Sequence, residues 1–521
     1  MPGPNTCGTR CVCLGNAHQH LHNNWATPRC ACERVGSAEP ARSTSVTPAL
    51  KRSACFGAAS RTAMSANERR SGEGVKINQP KKTKIDGYAA GAASRPYQLR
   101  FIRSSPAFTS ASGRQEGALP GPRMSCATRV DVAVVGGGIS GLVCAAALQA
   151  KHSVAVLEAR RRVGGRLLSP QGVDLGASWS WPPHDTRVAA LSRRLGVEPI
   201  AQRLDGDAFV TDAAGKAQGV GNAGAQMAPC GPGAVRFHGG YQALPLALAA
   251  ALPEDSLQLG CRVLSVRKSD DGGVQVAFRR AGEEEVEYLH ARRVVLALPP
   301  GVGAASIDFE PALPAPQRRK MATTATWCGD WCKVVATFRS PFWRARGASG
   351  VVAAAGPVQI WWEAGGGAEL GEQTSALVGL GVGHEACAAL APLQMADGTT
   401  AADLAPQQVA ATAAAAGETV PIDAALEALV VAALAPAYGP VVKEELMSAT
   451  AKTWMVDDLT YAAEGRHRDY GHALLREPAP WGVHFAGTET EAQNGHVEGA
   501  IRAGERAAAE VLESLADTAA R

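Results

Sequence analysis

Lys333 calls for a chemical explanation before any other residue. It lies in Trp331-Cys332-Lys333-Val334-Val335-Ala336-Thr337-Phe338, an otherwise apolar strand pattern, where burying an unpaired ammonium is costly. A strand-end lysine can escape that cost by snorkelling to solvent. The alternative is a lysine kept in the interior for its charge. A second constellation sets out a phosphate cradle. The short β-branched run Val130–Val135 leads straight into Gly136-Gly137-Gly138-Ile139-Ser140-Gly141, then an Ala/Leu-rich helix through Gln149, then a second strand, Ser153–Leu157, ending at Glu158. Gly136 permits the tight turn, Gly138 lets the backbone approach a pyrophosphate, and Gly141 lets the helix pack on the sheet. The helix start at Ile139 and Ser140 offers free N–H groups to an anion. Glu158 falls about 20 residues on, where a carboxylate accepts from ribose hydroxyls. Together these predict dinucleotide binding.

The elements that position these residues are recognisable along the chain. Cys261–Val266 reads as a strand, Gly272-Gly273 as a hairpin turn, and Arg293–Leu298 as a buried strand ending at Pro299-Pro300. Near the C-terminus, Val483–Phe485 is a strand running into a polar turn. Asn494 is a predicted N-cap for the Ala-rich helix that follows. An amphipathic helix carries Ile422, Leu426, Leu429, Val430 and Leu434, and the Ala/Thr-rich stretch 396–420 before it reads as a surface insertion.

Composition limits the function classes. With 521 residues, 46 % of them hydrophobic, the chain can bury one very large core or two intermeshed ones. Its net charge of +4 conceals an asymmetry: residues 1–124 hold 18 basic and 6 acidic groups, a net of +12, and the remainder is at −8. The basic charges are scattered, without aromatic interleaving, so they do not point to nucleic acid. An acid-poor, Arg- and Ser-rich start fits an organelle transit peptide, plastid or mitochondrial. The alternatives are a disordered extension or translation from Met124, with a cytoplasmic protein if no transit peptide exists. Six of the 13 cysteines lie in this prefix, but without paired Cys-x-x-Cys spacing they do not form a metal motif. No apolar stretch approaches the ~18–20 residues that span a bilayer.

Longer motifs narrow the cofactor. Glu158-Ala159-Arg160-Arg161-Arg162-Val163-Gly164-Gly165-Arg166 and Asp174-Leu175-Gly176-Ala177-Ser178-Trp179 resemble segments of the flavin-containing amine oxidase superfamily, the second its polyamine oxidase branch. Phe485-Ala486-Gly487-Thr488-Glu489-Thr490 and Gly495-His496-Val497-Glu498-Gly499-Ala500 resemble that superfamily's C-terminal flavin motif, more than 300 residues away. The resemblance covers roughly residues 128–515. It implies an α/β, FAD-binding, Rossmann-like domain of the glutathione-reductase type, interleaved with an α+β substrate domain. The expected division is a prefix 1–127, an FAD-binding domain of 128–198, 236–304 and 448–515, a substrate domain of 199–235 and 305–447, and a tail 516–521. FAD is expected to be non-covalent, because no cysteine follows Cys387. Its contacts are expected at Gly136, Gly138, Ile139, Ser140, Gly141, Glu158, Arg160, Gly165, Arg166, Ala177, Ser178, Val263, Trp454, Gly487, Glu489, His496 and Val497, with Arg160 and Arg166 neutralising pyrophosphate.

The same resemblance implies oxidation of a small amine with O2 as the electron acceptor, and no metal. Lys333 matches the superfamily's active-site lysine, which holds a water beside the flavin and assists reoxidation. His496 stands where many members carry a cage tyrosine, so Trp454, Trp181, Trp361 and Trp362 are the candidate walls for the substrate. No Met-Arg pair follows Asp174-Leu175-Gly176, which favours an amine over an α-amino acid. A desaturase or isomerase of carotenoid-like lipids and a catalytically silent flavin-binding interaction protein are the competing readings. The oligomeric state is left open.

Overall fold

The computed structural model describes residues 128–222, 224–364, 375–395, 422–462, 465–492 and 496–520. The transit-peptide reading of residues 1–127, the insertion at 396–420 and the cap at Asn494 lie outside them. The first strands are β1 (Arg129–Val135), β2 (Val154–Glu158), β3 (Pro199–Ala201), β4 (Asp207–Thr211), β5 (Ala217–Gly219) and β6 (Val235–Phe237). There follow β7 (Leu257–Leu259), β8 (Cys261–Lys268), β9 (Val274–Arg280), β10 (Val286–Leu296) and β11 (Asp308–Glu310). The last are β12 (Trp331–Phe338), β13 (Ala348–Ala353), β14 (Ile360–Glu363), β15 (Ser375–Val382), β16 (Leu446–Thr453) and β17 (Val483–Phe485).

Two large sheets carry the molecule. In the first, the order is β11-β8-β9-β10-β1-β2-β7, with β17 also paired to β10. The strands from β17 through β10, β1 and β2 to β7 are parallel, and β1 is apolar because both of its faces are covered. Val132 and Val134 meet the helices Ile139–Leu148 and Val497–Ala520 on one side. Ala133 and Val135 meet β8–β10 side chains and Phe485 on the other. Glycine is needed at two close approaches: a Cβ on Gly141 would stand 2.0 Å from the Gly136 carbonyl oxygen, where the first helix meets the turn, and one on Gly504 2.3 Å from that of Ser140, where the two helices meet. A Gly141→Ala protein is therefore expected to lose about 1–3 kcal/mol of stability by overpacking and to purify with little flavin. Thermal unfolding and the absorbance near 450 nm check this, and a fully loaded protein of native stability would refute it.

The second sheet has the order β16-β12-β15-β14-β13-β4-β5. One face is covered by the helices His384–Leu390 and Ala424–Tyr438. The opposite face carries Val335, Val378, Trp362 and Trp454, against Leu175, Trp179 and Trp181. The sheets move two expected boundaries. β11 pairs with β8 beyond the exit expected at 304, and Pro299-Pro300 turns into the helix Pro300–Ser306 rather than leaving the domain. β16 pairs with β12 along its length, Cys332 opposite Thr453. The chain therefore leaves the second sheet after Thr453, not at 448, because β16 completes the pairing of β12 on the side away from β15.

Candidate active site

The nucleotide cradle is built by three chain segments that meet at the end of β1. Gly136 has φ +107°, and Gly138 has open space where a side chain would stand. The 164–165 turn lies against it: the Gly164 N–H donates to the Gly137 carbonyl at 2.9 Å, and a Cβ on Gly165 would be 3.6 Å from the Gly138 Cα. The buried carboxylate of Glu158 accepts from the N–H groups of Gly137 at 2.7 Å and Arg160 at 2.8 Å. That fixes its position at the tip of β2 beside the turn. The C-terminal motif closes the cradle directly, because the Gly487 N–H donates to Ser140 Oγ at 3.0 Å across 347 residues. Val497 opens the long helix and is buried, and Glu498 beside it accepts from the N–H groups of Arg187 and Val188 at 2.9 and 3.0 Å. Val263 is buried in β8, where the pairing with β9 shifts register just beyond it.

Lys333 is enclosed, at 7 % exposure. On β12 it shares a face with Val335, whereas Cys332, Val334 and Ala336 point to the opposite core. Its Nζ donates to the Gly176 carbonyl at 2.5 Å and to Ser178 Oγ at 2.6 Å. It lies 5.4 Å from the ring centre of Trp362 and 5.8 Å from that of Trp179. Burial pulls its pKa down to about 8, against the opposing pull of Asp174. The ammonium is thus held by two oxygen acceptors and two aromatic faces, and carries no direct ion pair among the described residues. Ala177, between those acceptors, is half-buried.

An aromatic group forms around His496. Trp181 stacks on it at 5.9 Å between ring centres, and Trp327 meets it edge-on at 5.4 Å. Tyr470 packs edge-on against Trp327 at 5.3 Å. Trp327 is held from both sides: its N–H donates to Glu489 at 3.0 Å, and its carbonyl accepts from Arg166 at 2.8 Å. Arg166 and the fully buried Glu489 are an ion pair at 2.8 Å. Three expected cofactor residues, Arg166, Glu489 and His496, therefore converge on one corner.

The comparisons with known proteins decide the family. Residues 216–512, more than half of the chain, match the family described as flavin containing amine oxidoreductase. The chain belongs to this family. Residues 134–195 match an NAD(P)-binding Rossmann-like domain. A 75-residue segment is 48 % identical to amine oxidase [flavin-containing] A of Bos taurus, covering 13 % of this chain and 14 % of that protein. A 95-residue segment is 38 % identical to the L-amino acid dehydrogenase of Synechocystis sp., covering 17 % of this chain and 19 % of that protein. The matches thus span under a fifth of those relatives' length. Wild-type putrescine oxidase bound to putrescine has the same fold, with a TM-score of 0.56, 21 % identity, and coverage of 74 % of this chain and 99 % of that one.

In this flavin family the cofactor is FAD, and the cradle fits it: glycines face one another across the turn, Glu158 is fixed at the strand tip, and the helix Ile139–Leu148 begins at the turn. One expected side-chain role changes. Trp361 is not a wall of the site. β14 alternates, so Trp361 packs into the core under the two covering helices while its neighbour Trp362 faces Trp179 at 4.5 Å between ring centres. The Arg160 guanidinium donates to Asp457, at 2.6 Å, and Thr460, at 3.0 Å, partners the sequence did not indicate. Asp457 also binds Lys452 at 2.9 Å. Lys452 stands opposite Lys333 in the β12–β16 pairing and lies 4.9 Å from the Trp454 ring centre. Asp457, Lys452, Trp327 and Tyr470 are absent from the sequence-based set. Only Lys452 had a local signal, two residues before Trp454 on the same strand face. No helix among the described residues is long and apolar enough to cross a membrane, and no group of metal-ligating side chains is found among them.

Proposed function

We propose that the chain is an FAD-dependent oxidase of a small amine, with dioxygen as the final electron acceptor. The observation that carries this is Lys333, a buried ammonium on the substrate sheet bonded to Gly176 and Ser178 of the motif that follows the cradle. FAD, when bound, would supply the two-electron acceptor for the C–H bond next to the amine nitrogen, with O2 as the oxidant reduced to hydrogen peroxide. The protein provides orientation and charge. Trp179, Trp181, Trp362 and Trp454 give an apolar wall from which water is excluded, and a neutral amine is the form such a wall accepts. His496 and Trp327 present aromatic faces at its edge. Lys333 keeps a positive charge where an oxygen anion develops. The imine product leaves to be hydrolysed by water to a carbonyl compound and ammonia or a shorter amine. The family match and the amine oxidase A of Bos taurus support the reaction class.

An anaerobic screen of amines, amino acids and polyamines tests the reading. Bleaching of the flavin by at least one such compound, followed by peroxide formation on admitting air, is the expected result. A flavin that no amine or amino acid reduces would instead favour the silent flavin-binding reading.

A further inference from the structure

Two buried carboxylates and an arginine lie close together in the substrate half of the molecule. Glu363 is buried and accepts from Trp343 Nε1 at 2.7 Å, Arg344 Nε at 3.0 Å and Arg203 at 3.1 Å. Asp174 is buried and accepts from Ser169 Oγ at 2.6 Å and the Tyr241 N–H at 2.8 Å, and burial raises its pKa. Glu363 is therefore taken, and Asp174 accepts both of its bonds at one oxygen, with neither carboxylate bonded to Arg236. Arg236 lies near enough to feel the charge of each, yet its side chain has no hydrogen bond or ion pair among the described residues. Its Nε is buried without a partner. Burial depresses its pKa, as expected of a guanidinium whose donors lack acceptors.

The pleat of β6 indicates where this side chain goes. Arg236 stands opposite Ile200 in the β3–β6 pair. Its neighbour Phe237 packs into the core of the first sheet, with Tyr241 and Leu244. Ala234, two residues earlier, packs in the tryptophan cluster of the substrate sheet, with Trp362 and Leu175. Arg236 shares the face of Ala234, not of Phe237. Gln202 ties this end of β6 to the cluster: its N–H donates to the Ala234 carbonyl, and its Oε1 accepts from Trp179 Nε1 at 3.0 Å. Trp362, fully buried in the same cluster, also has an Nε1 with no hydrogen-bond partner. One unmatched cationic donor is thus set on the side of β6 that carries Ala234 and the tryptophan cluster.

An uncharged amine offers a guanidinium one lone pair and no compensating charge. A carboxylate supplies the missing charge, and the planar fork of arginine is matched to its two oxygens. We propose that Arg236 anchors a substrate carboxylate, so that the amine oxidised by this chain belongs to an amino acid. The inference rests on the amine-oxidase reading above. The missing Met-Arg pair after Gly176 then does not exclude an acid substrate, because the cation is supplied by β6 instead.

Matched pairs separate the possibilities: L-phenylalanine against 2-phenylethylamine for an α-amino acid, and 4-aminobutyrate against butylamine for an ω-amino acid. With the wild-type holoenzyme, anaerobic flavin reduction is expected to be at least about tenfold faster for the acid member of one pair. Arg236→Met is expected to lower the ratio of acid to amine reduction rates about 10²-fold and to abolish quenching of tryptophan fluorescence by benzoate; Arg236→Lys restores part of both. Equal reduction by acid and amine in the wild type, or benzoate binding that survives Arg236→Met, would overturn the assignment while leaving amine oxidation intact. Reduction by neither member of either pair, nor by any compound of the wider amine screen, would remove the amine-oxidase reading, and the benzoate titration would still decide the anion site.

Discussion

A Lys333→Met protein is expected to retain its flavin and to be reoxidised by dioxygen about 10²-fold more slowly than the wild type, the scale of a well-placed charge or proton donor. Methionine keeps the length and apolar body of the side chain, so β12 and its neighbours Trp179 and Trp362 need not move. The variant removes the positive charge and leaves the Gly176 carbonyl and Ser178 Oγ without their shared donor. Reduction of oxygen creates negative charge, and a fixed ammonium in an apolar enclosure stabilises it more than one in water would. The wild-type pH profile follows from the same site. Burial lowers the Lys333 pKa from 10.5 to about 8, so the ammonium is present below pH 8 and the reoxidation rate falls as pH rises through that value. The variant should lack this inflection. Stability runs the other way. Between about pH 8 and 10.5 the unfolded chain binds a proton at this lysine that the folded chain does not, so this contribution to stability increases with pH across that window. Stopped-flow mixing of reduced enzyme with oxygenated buffer across pH 6–10 checks the kinetic claim. Wild-type rates in the variant, or an unaltered profile, would remove Lys333 from the chemistry.

The cradle was legible because its requirements are local. Gly136, Gly138, Gly141 and Glu158 stand within one strand-turn-helix-strand unit, and each residue type answers a backbone constraint that the sequence displays. The pairing with Gly487 was readable only through resemblance, since the bond to Ser140 joins residues 347 apart. Strand parity was legible for Lys333 but not for the tryptophans. Trp361 and Trp362 are adjacent and chemically equivalent, and which one faces the site depends on the register of β14 against β15. Arg160 illustrates a different limit. Its motif predicts a cation beside the cofactor, but nothing local shows that Asp457, 297 residues later, claims the guanidinium. The boundary at 448 failed for the same reason, because β16 belongs to the sheet that its partner β12 defines.

The largest stability effect is expected at that Asp457. Its carboxylate accepts from Arg160 at 2.6 Å, Lys452 at 2.9 Å and the Leu459 N–H at 3.1 Å, and all three charged side chains are buried. Asp457→Asn keeps the shape and removes the anion between two cations. Breaking a buried pair in this way typically costs about 3–5 kcal/mol, because the uncompensated charge stays in the interior. For a domain of this size that corresponds to a fall in Tm of roughly 4–6 °C. The neighbouring Asp458 provides the internal control. It pairs with Arg262 at 3.3 Å, but with side chains 76 % and 49 % exposed, so Asp458→Asn should cost no more than about 1 kcal/mol. Flavin release should accompany unfolding at the lower temperature in the Asp457 variant. Arg160 sits two residues after Glu158, on the loop bounding the cradle, and Lys452 sits opposite Lys333. Loss of the shared carboxylate therefore loosens the cofactor side and the substrate side together. A scan of both variants followed by tryptophan and flavin fluorescence decides it. Equal melting temperatures for the two would mean that the buried network contributes no more than the surface pair.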